Sequence, residues 1–378
     1  MKKILYIERT NLNIYPPCVS QIRMLNKLNI DFEVLYGTCD KKVLNIFEKE
    51  GIKYKKIGEI PENRNSKLKK ILGLLNYRKS LKKMLKTYDL KNTILWFGNA
   101  ESVIPMIGLL KKKEYIVSLL ELHDGERSNI RIKMLKKIMP FAICSTACEE
   151  TRAYIMQSMY NLQKLPYVFP NKSFEQITIR RFSPTIEETT KIINKIKKDN
   201  VIIYQGILQE TDKIVEFAKA LNMTNKKYKF LLMGDAKNIR LEEIKKYYSN
   251  IEFIPYISAP FHLEITSYAR IGIAFYEPYC LNFAFCAPNK IYEYTGFGIP
   301  MICNDIPGLE NTIGKYNAGK CIELKAESIA KAINEIDDNY EKFSDNAKKF
   351  YASCDNLKTM KKMLSDLNVI DEDLRNDK

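Results

Sequence analysis

Residues 201–235 contain the sequence VIIYQG-ILQETDKIVEFAKAL-NMTNKKY-KFLLMGD, in which two short apolar runs flank a longer one. The short runs are typical of buried strands, and the longer one has the spacing of an amphipathic helix. Each short run ends at a glycine, Gly206 or Gly234, where the backbone can turn sharply or approach a ligand closely. The segment therefore predicts two parallel strands joined by a right-handed helical crossover.

The same alternation of strands and helices extends over most of the chain. Further strands are predicted at Lys3–Glu8, Asp31–Tyr36, Ile52–Ile57, Thr93–Phe97, Tyr115–Leu120, Ala142–Cys144, Ile251–Ile254, Ile271–Phe275, Met301–Cys303 and Gly319–Ile322. A polar segment after Pro170 separates two such series. The pattern predicts an α/β protein with two Rossmann-like domains, whose parallel sheets face each other across a cleft.

The length of 378 residues suits two domains. We expect an N-terminal Rossmann-like domain (1–180), a linker (181–200), a C-terminal Rossmann-like domain (201–352), and a final helix with a polar tail (353–378) that returns towards the first domain.

The positive charge is concentrated in the first half of the chain. Residues 1–200 hold 38 Lys and Arg against 20 Asp and Glu, so the excess of basic residues behind the net charge of +16 belongs to this half. This asymmetry indicates two domains with different partners.

Composition narrows the class of protein. Hydrophobic residues make up 46% and charged residues 28%, as in a soluble globular chain. We find neither a signal peptide nor an apolar run long enough to span a bilayer, so we expect a cytoplasmic protein. The nine cysteines include no Cys-x-x-Cys pair and the chain has only two histidines, His123 and His262. We therefore expect reduced thiols and no protein-built metal site.

The segment APNKIYEYTGFGIPM (287–301) holds the candidate binding residues. Pro288 or Asn289 is a good helix start, and Gly298 with Pro300 is a strong stop. Lys290 and Glu293 then lie on one face of a short helix. The N-terminus of a helix binds phosphate, and an ammonium there is favourable when an anion is present. Alternatively, the two residues form a surface ion pair worth about 0.2–0.5 kcal/mol.

Two common nucleotide-binding motifs are missing from the sequence. No Gly-x-Gly-x-x-Gly follows a predicted strand, and no Gly-x-x-x-x-Gly-Lys-Ser/Thr occurs. A dinucleotide-dependent dehydrogenase and a P-loop enzyme are therefore disfavoured.

The run APNKIYEYTGFGIPMICNDIPGLENTI resembles the donor-binding segment of GT-B glycosyltransferases, especially the large retaining family-four group. VIIYQGILQETDKIVEFAKAL and KFLLMGD are similar to the opening units of that group's second domain, and FPN (169–171) is similar to the end of its first. This resemblance implies a glycosyltransferase that moves a sugar from a nucleotide diphosphate to a glycan or lipid-linked acceptor. It also implies a role in bacterial surface polysaccharide synthesis, with retention at the anomeric carbon.

The resemblance also implies roles for individual residues. Glu293 would bind the donor ribose, and Lys290 with the helix amides at Asn289 would bind the diphosphate. The remaining predicted donor-binding residues are Gly206, Gly234 and Asp235 in the nucleotide groove, Tyr256 in the base pocket and Glu277 at the cleft rim. His123 would face the transferred sugar or the acceptor. Without the resemblance, a lone histidine such as His123 is more often a structural hydrogen-bonder, and Glu277 could equally be a solvated loop charge.

Two positions depart from the family pattern. Phe285 occupies the place of the first glutamate of the family's paired glutamates, and Asp212 lies near the place of an arginine, with Lys213 beside it. These changes bear on the diphosphate contacts and on the stereochemistry. We expect no metal and no cofactor, with the nucleotide sugar as substrate and a UDP-sugar as the first donor to consider.

The basic segment KLKKILGLLNYRKSLKKMLKTYDLK (67–91) has a second candidate function. Leu68, Ile71, Leu75, Leu81 and Leu85 form an apolar stripe among nine basic residues. Such a helix can lie on an anionic membrane on the inner face of the cell, and the alternative is a core helix with a lysine-rich solvated face.

Two other functions remain as alternatives to glycosyl transfer. A sugar-nucleotide epimerase on the same fold would need more carboxylates and histidines around the sugar. A basic nucleic-acid-binding protein would need stacking aromatics, and the basic segment has only Tyr77 and Tyr88. We therefore expect no nucleic-acid partner.

Overall fold

The computed structural model describes residues 2–58, 67–124, 129–209, 211–236 and 239–370. The chain forms two compact units, one of Met1–Phe174 with Asp355–Lys378 and the other of Glu175–Cys354. We call these unit 1 and unit 2. Residues 371–378 of the predicted polar tail lie outside the described residues.

Unit 1 is built on a seven-stranded parallel sheet with the strand order β3-β2-β1-β4-β5-β6-β7. Its strands are β1 (Lys3–Asn11), β2 (Phe32–Thr38), β3 (Tyr54–Lys56), β4 (Thr93–Phe97), β5 (Tyr115–Leu119), β6 (Cys144–Ala147) and β7 (Tyr167–Val168). Its crossover helices are α1 (Pro16–Lys27), α2 (Lys41–Lys49), α3 (Lys67–Leu85), α4 (Ala100–Val103), α5 (Asn129–Lys136) and α6 (Glu150–Tyr160). The central strands are continuous apolar runs because helices cover both faces of the sheet.

Unit 2 contains a six-stranded parallel sheet with the order β10-β9-β8-β11-β12-β13. In chain order its elements are α7 (Glu187–Ile196), β8 (Val201–Ile207), α8 (Thr211–Leu221), β9 (Lys229–Asp235), α9 (Leu241–Lys245), β10 (Ile251–Pro255), α10 (His262–Thr266), β11 (Ile271–Ala274), α11 (Leu281–Ala284), α12 (Asn289–Gly296), β12 (Met301–Asn304), α13 (Pro307–Leu309), β13 (Gly319–Ile322), α14 (Ala326–Asp338) and α15 (Tyr340–Ser353). The order reverses between β8 and β11, which is where open parallel sheets bind ligands.

The strands of unit 2 contribute to two separate cores. Val201 and Ile203 belong to the core on one face of the sheet, whereas Ile202 and Tyr204 belong to the core on the other. Successive side chains of a strand point to opposite faces, so both faces are buried. Two parallel-sheet α/β domains were predicted from the sequence, and both are present.

The final helix, α16 (Asn356–Asp366), belongs to unit 1. Its Met360, Met363 and Leu364 are fully buried in the same core as residues of β1, β2 and β4. Tyr167 on β7 donates a hydrogen bond to Asp366 at 2.6 Å. The chain thus returns to unit 1 after completing unit 2.

The observed boundaries differ from the predicted linker. Residues 181–200, expected to form a linker, belong to unit 2 and include α7. Ile193 and Ile196 of this helix are buried in the unit 2 core. The segment therefore packs as part of the domain because its two isoleucines, three residues apart, share a face that the sheet covers.

Among the described residues, no helix combines the length and apolar composition that crossing a bilayer requires.

Candidate functional site

The site begins where β8 and β9 end side by side. Gly206 and Gly234 are paired in register, with φ angles of +116° and +144° that residues with side chains rarely adopt. A Cβ on Gly234 would lie 1.8 Å from the carbonyl oxygen of Gly206. A side chain at Gly234 would therefore displace this backbone, whereas at Gly206 it is the positive φ angle that disfavours any other residue.

Helix α12 is anchored beside these glycines. The hydroxyl of Tyr294 accepts a hydrogen bond from the backbone N–H of Gln205 at 3.3 Å and donates one to the backbone carbonyl of Ile203 at 3.4 Å. The helix follows Pro288, whose side chain offers no cap to the first amides. The backbone N–H groups of Asn289 and Lys290 have no acceptor within the helix, because they belong to its first turn. This terminus therefore retains the partial positive charge that favours an anion.

Lys290 lies over the bare end of β8. Its Nζ would be 3.5 Å from a Cβ on Gly206, and it lies 4.6 Å from the ring centre of Tyr204 and 5.6 Å from that of Tyr276. Burial lowers the pKa of this ammonium to about 8, although the nearby Glu293 charge raises it. No ion pair to Lys290 is found among the described carboxylates. An anionic ligand beside Nζ would stabilise the protonated ammonium of Lys290 and raise its pKa towards the usual value.

Glu293 lies one turn further along α12 and is held at both oxygens. Gln205 Nε2 donates to Oε2 at 2.5 Å, and His262 Nε2 lies 3.3 Å from Oε1. Burial raises the pKa of Glu293, but His262, Lys290 and Gln205 together outweigh it and place the pKa below its usual value. The side chain is therefore an ionised carboxylate, fixed in orientation and 14% exposed.

The other predicted donor-binding residues lie at the carboxyl ends of neighbouring strands. Asp235 ends β9 opposite Ile207, and Tyr256 follows β10 with 69% of its surface exposed. Glu277 follows β11 and pairs at 3.7 Å with Lys213 of α8. The structure thus brings these residues to the same edge of the sheet as Lys290 and Glu293. Their contacts with a ligand stay a prediction.

His123 belongs to unit 1, where it follows β5 and is buried. Burial lowers the pKa of its imidazole; Glu101 and Glu121 raise it, and Arg131 lowers it further. A neutral imidazole can accept a proton or share one with a sugar hydroxyl. Its part in a reaction stays a prediction, and the neighbouring residues 125–128 lie outside the described residues.

Sequence reasoning missed several residues of the site. His262 was not among the predicted site residues, yet it contacts Glu293. Gln205 gave a usable signal, since it is the one strongly polar residue in the run VIIYQG. The partners of Lys290, Tyr204 and Tyr276, gave none, because tyrosines are common in strands.

No protein-family model and no curated protein matches this chain. Similarity is found to solved structures. HepE of Anabaena, in complex with UDP-glucose, has a TM-score of 0.70 at 12% identity over 98% of this chain and 100% of its own. A glycosyltransferase from Rickettsia africae has a TM-score of 0.67 at 15% identity, covering 100% and 99%. The lipopolysaccharide outer core galactosyltransferase WaaB has a TM-score of 0.63 at 15% identity, covering 97% and 100%.

At these identities the likeness shows the fold alone, and it confirms the predicted GT-B fold. A protein from Listeria monocytogenes named as a candidate UDP-N-acetylglucosamine 2-epimerase is similar to the same degree, with a TM-score of 0.68 at 12% identity. The fold is therefore compatible both with glycosyl transfer and with sugar-nucleotide epimerisation. The side chains of the site must distinguish the two functions.

Proposed function

We propose that this protein is a glycosyltransferase that uses a nucleotide diphosphate sugar as donor and a glycan or lipid-linked molecule as acceptor. The observation behind this proposal is the pair Lys290 and Glu293, an ammonium and an oriented carboxylate on successive turns at the N-terminus of α12. A nucleoside diphosphate offers the matching groups, a pyrophosphate beside a ribose diol. HepE and WaaB, which have this fold, are described with UDP-glucose and as a galactosyltransferase.

In the proposed reaction the bond between the anomeric carbon and the diphosphate oxygen breaks, and a bond to an acceptor oxygen forms. The nucleoside diphosphate leaves with the bonding electrons, and the acceptor hydroxyl gives its proton to an oxygen of the departing diphosphate. Lys290 and the first amides of α12, starting at Asn289, would stabilise the negative charge that develops on the leaving group. Glu293 would hold the ribose and so fix the donor in place.

The remaining assignments complete the proposed site. Gly206 with Gly234 and Asp235 would line the nucleotide groove, Tyr256 would contact the base, and Glu277 would lie at the rim. We assign His123 to the transferred sugar or the acceptor, where its neutral imidazole would hydrogen-bond a hydroxyl. Retention at the anomeric carbon and a role in bacterial surface polysaccharide synthesis are supported by the sequence resemblance.

A thermal-shift panel tests the proposed function. We expect UDP and a UDP-sugar to raise the melting temperature by several degrees, because a ligand at about a hundred times its Kd stabilises by about 2.7 kcal/mol. GDP, ADP, CMP and their sugars are tested in parallel as comparison ligands.

A transfer assay with the selected donor should be unaffected by EDTA, since Lys290 supplies the positive charge that a metal would otherwise provide.

Other outcomes of these assays would contradict the proposal. Conversion of the donor to an epimer without an acceptor would favour the epimerase. Salt-dependent retention of nucleic acid on a filter, without any nucleotide-sugar response, would favour the nucleic-acid alternative.

We also propose that helix α3 contacts an anionic membrane surface from the cytoplasmic side. Tyr77, Leu81 and Leu85 of the helix are buried, whereas Ile71, Leu72 and Leu75 are more than half exposed. The same helix carries exposed basic residues before and after this apolar turn, namely Lys69, Lys70, Lys79, Lys82 and Lys83. The apolar stripe expected from the sequence is therefore divided between a core-facing end and an exposed end; the side chain of Leu68 lies outside the described residues.

Vesicle co-sedimentation tests this contact. We expect the wild type to sediment with phosphatidylglycerol-containing vesicles and less with phosphatidylcholine alone, because each basic residue near an anionic surface contributes about 1 kcal/mol. Replacing Ile71, Leu72 and Leu75 by serine should weaken sedimentation severalfold. The matched control replaces three exposed residues of α9 and α14, Glu242, Lys245 and Lys331, by serine. Equal sedimentation of the wild type and the α3 variant would contradict the proposed contact.

A further inference from the structure

Helix α10 reaches both oxygens of the Glu293 carboxylate. His262, the first residue of the helix, places Nε2 at 3.3 Å from Oε1. Thr266, the last residue, donates its hydroxyl to Gln205 Oε1 at 2.6 Å, and Gln205 Nε2 in turn donates to Oε2 at 2.5 Å. This five-residue helix therefore contacts Oε1 of the carboxylate directly and positions Oε2 indirectly, through Gln205.

The chemistry of these groups fixes their orientation. An ionised carboxylate only accepts hydrogen bonds, so the NH₂ end of Gln205 must face Glu293 and its carbonyl must face Thr266. The His262 carbonyl, 3.0 Å from Thr266 Oγ1, is a second and more distant acceptor for the same hydroxyl hydrogen. Gln205, buried with 4% of its surface exposed, is thus locked at both ends.

The same argument fixes the proton on His262. Nε2 must carry a hydrogen in order to donate to Glu293. Nδ1 is buried and has no hydrogen-bond partner among the described residues. Nε2 is therefore the ring nitrogen through which the imidazole donates to Glu293.

The two contacts leave the carboxylate with capacity for a diol. A carboxylate has roughly four acceptor directions, two on each oxygen. Gln205 uses one direction on Oε2, and His262 uses one on Oε1. Within the part of the chain that the structure describes, no other donor contacts this carboxylate, so one direction per oxygen is left for the two donors of a 2′,3′-diol.

We propose that His262 and Gln205 are positioning residues that orient Glu293 towards the ribose diol, and that they thereby make the protein select ribonucleotide over 2′-deoxyribonucleotide donors. This inference rests on the proposed function, because it takes Glu293 as the ribose contact. The selectivity would arise because a fixed carboxylate that pairs with both hydroxyls of the diol loses one charge-assisted hydrogen bond when the 2′-hydroxyl is absent.

Isothermal titration calorimetry with UDP and 2′-deoxy-UDP tests the inference on the full chain. We expect the wild type to bind UDP at least tenfold more tightly than 2′-deoxy-UDP. In His262→Ala this ratio should fall to threefold or less, because UDP binding weakens while 2′-deoxy-UDP binding changes little. A purely structural role of His262 would weaken both nucleotides equally and leave the ratio intact.

Two conservative variants provide matched controls. The amide nitrogen of glutamine reaches the position of Nε2, so His262→Gln should keep the wild-type ratio. The amide nitrogen of asparagine reaches only the position of Nδ1. His262→Asn should therefore show the same reduced preference for UDP over 2′-deoxy-UDP as His262→Ala. Melting temperatures establish that each variant is folded.

The outcomes separate this inference from the function on which it rests. A wild type that binds UDP and 2′-deoxy-UDP equally, or a His262→Ala variant with an unchanged ratio, overturns the inference and leaves the proposed function standing. A wild type that binds none of the nucleoside diphosphates overturns both.

Discussion

Replacing Glu293 by alanine is expected to weaken UDP binding by about 10²–10⁴-fold, because two charge-assisted hydrogen bonds of about 1.5–3 kcal/mol each are lost. The melting temperature should change little. Removing the carboxylate relieves the cost of burying a charge, and this gain offsets part of the loss of its bonds to Gln205 and His262. Calorimetry gives the affinity, and differential scanning fluorimetry gives the stability.

A second carboxylate in unit 2 provides the control for this variant. Glu242 on α9 is an exposed residue that pairs with Lys245 on the same helix. Its replacement by alanine should leave UDP binding unchanged. If Glu293→Ala binds UDP as tightly as the wild type does, the ribose role of this residue is wrong, and so is the function built on it.

Replacing Lys290 by methionine is expected to lower kcat by about 10²–10³-fold, the usual effect of removing one preorganised group that stabilises developing charge. Methionine keeps a long side chain between the rings of Tyr204 and Tyr276 and removes only the ammonium. The effect should fall mainly on kcat, because the charge on the diphosphate increases as the glycosidic bond breaks. Steady-state kinetics with the selected donor measures it.

The pH dependence of UDP binding checks the same ammonium independently. Its pKa of about 8 in the free protein means that above pH 8 the amine must take up a proton before it can pair with the diphosphate. The Kd for UDP should therefore rise above pH 8, by up to about tenfold per pH unit. Lys290→Arg stays charged and should lack this rise. A Lys290→Met enzyme within threefold of wild-type kcat, or a flat profile in the wild type, would disprove the assignment.

The local features of the binding helix were predictable from the sequence. Pro288 before the helix and Gly298 after it predicted a short helix, and the structure has α12 at Asn289–Gly296. Lys290 and Glu293 were expected on one face because they are three residues apart. Glycines at the ends of two strands indicated a close backbone approach, and Gly206 and Gly234 pair in register. Each of these signals depends on chain neighbours only.

The contacts that orient Glu293 could not be predicted from the sequence. Gln205 is 88 residues away along the chain, and His262 is on a different helix. They meet because α10 and α12 pack in the same core on one face of the sheet. A sequence pattern records the spacing of residues within one element and contains no measure of which elements become neighbours.

The linker prediction failed for a similar reason. The segment 181–200 has a polar composition, and on that ground it was expected to connect two domains. Its helix α7 nevertheless buries Ile193 and Ile196 in the core of unit 2. A short amphipathic helix can have few apolar residues and still belong to a domain, since two well-placed isoleucines are enough to attach one face.

The position of α16 has a consequence for the order in which the protein can fold during synthesis. Unit 2 is an insertion into unit 1, because residues 175–354 interrupt the segments 1–174 and 355–378. The nascent chain completes all of unit 2 before the ribosome adds Met360, Met363 and Leu364, which fill the core of unit 1. The domain begun first is therefore finished last, because its core lacks these three side chains until α16 has been synthesised.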